Sequence, residues 1–162
     1  MKPKDRWVIG IIVFAVVIIW FFLFGIGMLI DSSIYRNAMK NGISDFSYFI
    51  SAIITWTPTN VGLLCIISGI AGRLGNMIIN LPKNGEFKTS TLLYGSLTGL
   101  IIFIMFVSVL FLAVDDPFGS TSPANYTKLA STISLITFIC EYNPTVFEKL
   151  MLRVGSNVAK PE

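Results

Sequence analysis

Few side chains in this sequence could do chemistry, and they do not cluster. Among 162 residues there is no histidine. Cys65 and Cys140 lie far apart in apolar segments without a CxxC spacing. That pattern supports neither a zinc site nor a thiol redox pair, and both residues read as small apolar fillers. Asp115 and Asp116 are adjacent, but in "VDDPFGSTSPANY", a turn-forming segment. Glu141 is an isolated acid, expected to be solvated or paired with Lys149 or Arg153. A hydrolase or transferase lacking histidine needs clustered carboxylates or a Ser–Lys pair, and no such constellation exists. The expectation is a non-enzyme with no metal and no cofactor. The remaining polar features are hydroxyls and amides. One patch is "ITWTPTNVG", Ile54 to Gly62, and the other is a stripe of Thr127, Ser131, Ser134, Thr137 or Phe138, and Glu141. The stripe repeats every three or four residues and so shares one helix face, which wants protein or water rather than lipid.

The elements that carry these residues are apolar helices. The chain is 54% hydrophobic and only 13% charged, about half the charge of a soluble domain. Trp7 to Ile30 is 24 residues without a charge, long enough to cross a bilayer core that needs about 20. It continues through Phe21, Phe22 and Phe24, unlike a cleaved signal. Further runs cover about 48–77, 91–114 and 124–142. The sequence therefore predicts an all-α integral membrane protein. A four-helix transmembrane domain spans 1–143, and a short amphipathic helix and tail follow over 144–162.

Orientation follows from the basic residues in the connections. Lys2, Lys4, Arg6, Arg73, Lys83, Lys88, Lys149, Arg153 and Lys160 would share one side; Arg36, Lys40 and Lys128 would share the other. Nine against three puts both termini in the cytoplasm. The basic balance is then a topological signal and a contact with anionic lipid. No Lys/Arg cluster interleaves with aromatics, so direct nucleic-acid contact is not expected. Asn125-Tyr126-Thr127 is a glycosylation sequon in form only, relevant solely to a eukaryotic secretory setting.

Two Pro-containing stretches read as helix boundaries. In "EYNPTVFEKL" Asn143 suits an N-cap and Pro144 the first helical position. Val146, Phe147, Leu150, Met151 and Val154 then form an apolar face opposite Glu148, Lys149 and Arg153. In "TWTPTNVG" Thr57 would cap and Pro58 would begin a helix into "LLCIISGIAG". The segment before it would be a separate helix in the outer leaflet. The alternative is one continuous helix kinked at Pro58. Either way the patch is chiefly punctuation.

Thr91, Gly95 and Gly99 repeat every four residues, as do Ser68 and Gly72. Small residues at that spacing let backbones approach closely in lipid, either within one subunit or as an oligomer interface. A homo-oligomer such as a tetramer is expected. Around its axis the hydroxyl stripe would line a narrow channel; inside one subunit it would bond to the other spans.

Three functions fit. The first is an oligomeric membrane sensor or scaffold that recruits a soluble cytoplasmic partner. Its docking surfaces would be Arg73, Lys83 and Lys88 with the tail residues Phe147, Lys149, Leu150, Met151 and Arg153, unless the tail simply lies on lipid. The second is a small channel or membrane-perturbing effector, and the third an accessory subunit of a larger complex. The layout of four spans, inward termini and the tail "NPTVFEKLMLRVG" resembles the membrane subunit of the two-component Kiwa anti-phage defence system of bacteria. That resemblance implies an oligomeric inner-membrane sensor of infection whose cytosolic partner binds DNA. No diagnostic motif accompanies it, so it assigns no residue a role.

Overall fold

The computed structural model describes residues 3–29, 45–80, 90–113 and 122–146, together with 148, 149 and 152. Every described element is a helix: α1 Pro3–Leu29, α2 Phe46–Thr55, α3 Thr57–Asn80, α4 Ser90–Ala113 and α5 Pro123–Tyr142. Three stretches are long and apolar enough to cross a membrane: Trp7–Met28, Thr57–Ile79 and Ser90–Val109. At 1.5 Å per residue each covers a hydrocarbon core of about 30 Å. At 20 residues α5 has the same reach but carries more hydroxyls.

The run expected over 48–77 is two helices, and the break falls one residue earlier than a Thr57 cap implies. Trp56 donates its N–H to the Ile53 carbonyl at 3.3 Å, closing α2, and accepts the Asn60 N–H at 2.9 Å, opening α3. Pro58 is then the second residue of α3, where its missing N–H has no intrahelical partner to lose. In α2 the Ser51 and Thr55 hydroxyls donate back to the carbonyls of Ser47 and Ser51, both at 2.9 Å. Such back-bonding bends helices.

Helix α3 is the centre of the bundle. Asn60, Val61, Leu64, Cys65 and Leu74 have no exposed surface, and α1, α4 and α5 pack around them. Burial here does not follow apolarity. The large apolar side chains of α1 and α4, such as Phe14, Phe22, Leu93 and Ile104, are more than half exposed. This is the pattern for a lipid setting, where no hydrophobic force draws helices together and close backbone approach decides.

The glycines of α3 set that approach. Gly69 backs onto Gly95 of α4, and Gly99 onto Cys65. A Cβ on Gly95 would stand 2.8 Å from the Gly69 carbonyl oxygen. Gly62 meets the Phe103 ring, while Gly72 and Gly75 receive α5 at Phe138, Glu141 and Tyr142. On the far side Gly27 of α1 leaves room for the Tyr126 ring. Alanine at any of these backbone contacts would force the helices apart.

Helix α5 begins at Ser122, whose hydroxyl accepts the Asn125 N–H at 3.2 Å, with Pro123 at the first position. It ends at Tyr142, where the predicted fourth span ends. Asn143 closes it by donating its N–H to the Ile139 carbonyl at 2.9 Å. The same residue opens the next turn, for its carbonyl accepts the Val146 N–H at 3.0 Å and its Oδ1 accepts the Thr145 hydroxyl at 2.7 Å. Residues 144–146, 148, 149 and 152 are helical, in line with the expected tail helix.

Candidate functional site

Polar contacts occur at three levels along α3, each tying it to a neighbour. Near its N-terminal end, Asn60 donates from Nδ2 to the Leu23 carbonyl of α1 at 3.0 Å. Its Oδ1 accepts the Tyr126 hydroxyl of α5 at 2.6 Å. Both side chains are buried, so one amide joins three helices with its acceptor and one donor hydrogen used. Phe24 lies beside the Tyr126 ring at 5.8 Å and stacks on Trp20 at 5.0 Å.

At mid-helix, the Trp20 indole N–H donates to Ser68 Oγ at 3.0 Å. Beside this bond a groove of about 430 Å3 runs between α1, α3 and α5, with Ser131, Ser134 and Phe138 on its wall.

Toward the C-terminal end, Arg73 pairs with Glu141 at 3.8 Å. The Glu141 carboxylate is nearly enclosed, whereas the guanidinium is about one-third exposed. Glu141, expected to be solvated or paired with Lys149 or Arg153, is enclosed and pairs with Arg73, while Arg153 lies outside the described residues. The reason is geometric: Gly72 has no side chain, so the α5 backbone at Phe138 closes on α3 and brings Glu141 over the next residue. Three residues on, Asn76 Nδ2 donates to the Tyr142 carbonyl at 2.6 Å. That bond takes up one of the terminal carbonyls that an α-helix leaves without an internal donor.

Removing Arg73 strands a buried carboxylate, whereas Glu141→Gln leaves only a guanidinium that is already about one-third exposed. Arg73→Ala will therefore destabilise the bundle more than Glu141→Gln. The loss is about 1–2 kcal/mol, limited by the exposure of the guanidinium. Chemical unfolding in a mild mixed detergent reads the difference, and equal losses would mean that the pair is idle.

The sequence-derived site residues divide among these levels. Ser68, Gly72, Gly95 and Gly99 are buried against the chain's own helices, and Thr91 is half-buried in the first turn of α4. Of the two alternatives for that spacing, the structure fills the positions from within one chain. On α5, Thr127, Ser131 and Thr137 donate to the carbonyls of Pro123, Thr127 and Ile133, one turn back. Ser134 Oγ is buried and bonds to nothing among the described residues. Lys149 is exposed. Lys83, Lys88, Phe147, Leu150, Met151 and Arg153 lie outside the described residues.

Sequence reading missed Asn60, Tyr126 and Trp20. The available signal was Asn60 itself, since an amide inside an apolar run wants a protein partner. Among the described residues no three His, Cys, Asp or Glu side chains gather as a metal site. Compared with family models, curated proteins and solved structures, the chain matches none.

Proposed function

We propose that this chain is a non-enzymatic sensor and scaffold of a bacterial inner membrane, recruiting a soluble cytoplasmic protein in defence against phage. In this reading it crosses the bilayer four times with both termini in the cytoplasm, α5 being the fourth span and α2 lying in the outer leaflet. The hydroxyls of Thr127, Ser131, Ser134 and Thr137 favour such a crossing, because they bond to the helix's own backbone or turn inward. Inward placement of Ser134 and Thr137 also favours a scaffold over a pore around an external axis. Because the glycine seams are occupied within the chain, association between copies falls to the exposed faces of α1 and α4.

One observation carries the scaffold reading: the junction where the tail leaves the bundle is fastened. Arg73–Glu141 and Asn76–Tyr142 hold the last turn of α5 on α3, and Asn143 joins that turn to the start of the tail. A tail that begins at a fixed point presents its charged face, with Lys149 exposed, at a defined place above the bilayer. Preorganisation of that kind lowers the entropy lost when a partner docks.

The test is purification of the full chain through a C-terminal tag from bacterial membranes in mild detergent, read by mass spectrometry. One stoichiometric soluble protein is expected. Reversing Lys149 and Arg153 to Glu should remove it while insertion stays intact. Recovery of the chain alone, or as a homo-oligomer only, overturns the scaffold.

A further inference from the structure

The groove beside Trp20 combines three properties. First, it lies at mid-depth: Ser68 and Ser134 are each the twelfth residue of their helices, of 24 and 20 residues. Second, its walls are apolar and partly aromatic, with Trp20, Phe21 and Phe138 beside Val17 and Leu135. Val17 and Leu135 are themselves 40% and 59% exposed, so the groove opens sideways between α1 and α5 onto the surroundings of the bundle. Third, it holds hydroxyl hydrogens with nowhere to go. Ser134 is 4% exposed and its Oγ has no partner among the described residues. Thr127, Ser131 and Thr137 on the same helix all donate one turn back, so among the serines and threonines of α5 that are not exposed the rotamer of Ser134 is the exception. Ser68 accepts from Trp20, and none of the described hydrogen bonds uses its own hydrogen.

A buried hydroxyl left unpaired in an apolar setting is unfavourable, and each of these residues has a donor to offer. A single water could accept from both hydroxyls, but it would leave most of about 430 Å3 of mainly hydrocarbon wall unfilled, a volume the size of a small-molecule site. An acyl chain brings no acceptor at mid-depth, and phospholipid headgroups stay at the interface.

We propose that the groove binds a bilayer-dissolved molecule with an apolar, ring-sized body and a carbonyl group that accepts from Ser68 and, once a change of rotamer turns its enclosed hydroxyl to the groove, from Ser134. The aromatic walls suit a planar ring, so a quinone-type or aromatic ketone is the ligand class. Entry is lateral, past Val17 and Leu135. The site stands on burial and hydrogen bonding alone; failure of the chain to recruit a protein would leave it untouched.

Benzophenone is the probe, being a ketone of suitable size that inserts into neighbouring C–H bonds when illuminated. The full chain in phosphatidylethanolamine–phosphatidylglycerol bilayers is labelled and the adducts are mapped by mass spectrometry. Adducts should concentrate on Val17, Phe21 and Leu135. Ser134→Ala combined with Ser68→Ala should lower their yield about tenfold, as the loss of hydrogen bonds in a dry site implies, while Ser134→Thr keeps it. With wild-type protein, where folding is not in question, excess fluorenone should compete and excess diphenylmethane, which lacks the carbonyl, should not. Adducts spread equally over the lipid-facing Leu97, Ile101 and Ile104 of α4 would overturn the site. Equal competition by the two compounds would reduce it to a hydrocarbon slot, overturning the assigned ligand class.

Discussion

A Gly99→Leu chain will not hold α4 against α3. The new Cβ would run into the Cys65 carbonyl and the Ile66 backbone, atoms that cannot rotate away as a side chain can. Overpacking of this kind costs about 1–3 kcal/mol where neighbours yield, and a rigid backbone contact puts the loss at the upper end or beyond. Gly95→Leu meets Gly69 and Ile70 in the same way. Gly10→Leu is the internal control, because nothing lies within 4 Å of its would-be Cβ, and it should change stability by no more than about 0.5 kcal/mol. Unfolding by SDS titration from a mild micelle reads stability, and light scattering on the same samples reads assembly. A folded chain that merely loses its oligomer would place these glycines between subunits, contrary to the seam within one chain.

Tyr126→Ala should be the most damaging single truncation on α5. The side chain is 2% exposed, its ring adjoins Phe24, and its hydroxyl ends on Asn60. Removing a buried aromatic leaves a cavity and loses about 3–5 kcal/mol. Tyr126→Phe keeps the ring and loses only the bond, worth about 0.6–1.7 kcal/mol between helices in lipid. The gap between the two variants separates packing from hydrogen bonding. A second readout is optical: Trp20 stacks on Phe24, which leans on Tyr126, so the alanine variant should shift tryptophan emission and the phenylalanine variant should not. Near-equal losses would mean that the ring packs poorly and the hydroxyl carries the contact.

What could be read from sequence was what depends on short-range pattern. The apolar runs appear as α1, α3 and α4, within a few residues of their expected limits. The Pro58 boundary was legible because proline and threonine act on their own turn. The small residues of α3 and α4 announced close packing, but not against which surface: spacing fixes a face, not what it meets. Glu141 shows the same limit. Its sequence neighbours Lys149 and Arg153 were the natural partners, yet the closing of α5 onto Gly72 delivers Arg73, 68 positions away in the chain. Ser134 looked like any other member of the hydroxyl stripe. Only its rotamer, set by packing, distinguishes it from Ser131.

The central position of α3 bears on how such a chain is made. Its polar groups point to different neighbours: Asn60 to α1 and α5, Ser68 to α1, Arg73 and Asn76 to α5. Most of those partners belong to α5, which is synthesised last of the five helices. Until it arrives, the Asn76 amide and the Arg73 guanidinium of α3 lack these partners, an arrangement that lipid would disfavour. A nascent chain interrupted after α4 leaves those groups without their α5 partners, whereas the completed one pairs each of them. Products truncated before α5 should therefore be short-lived in the cell, which a pulse-chase comparison with the full chain would read.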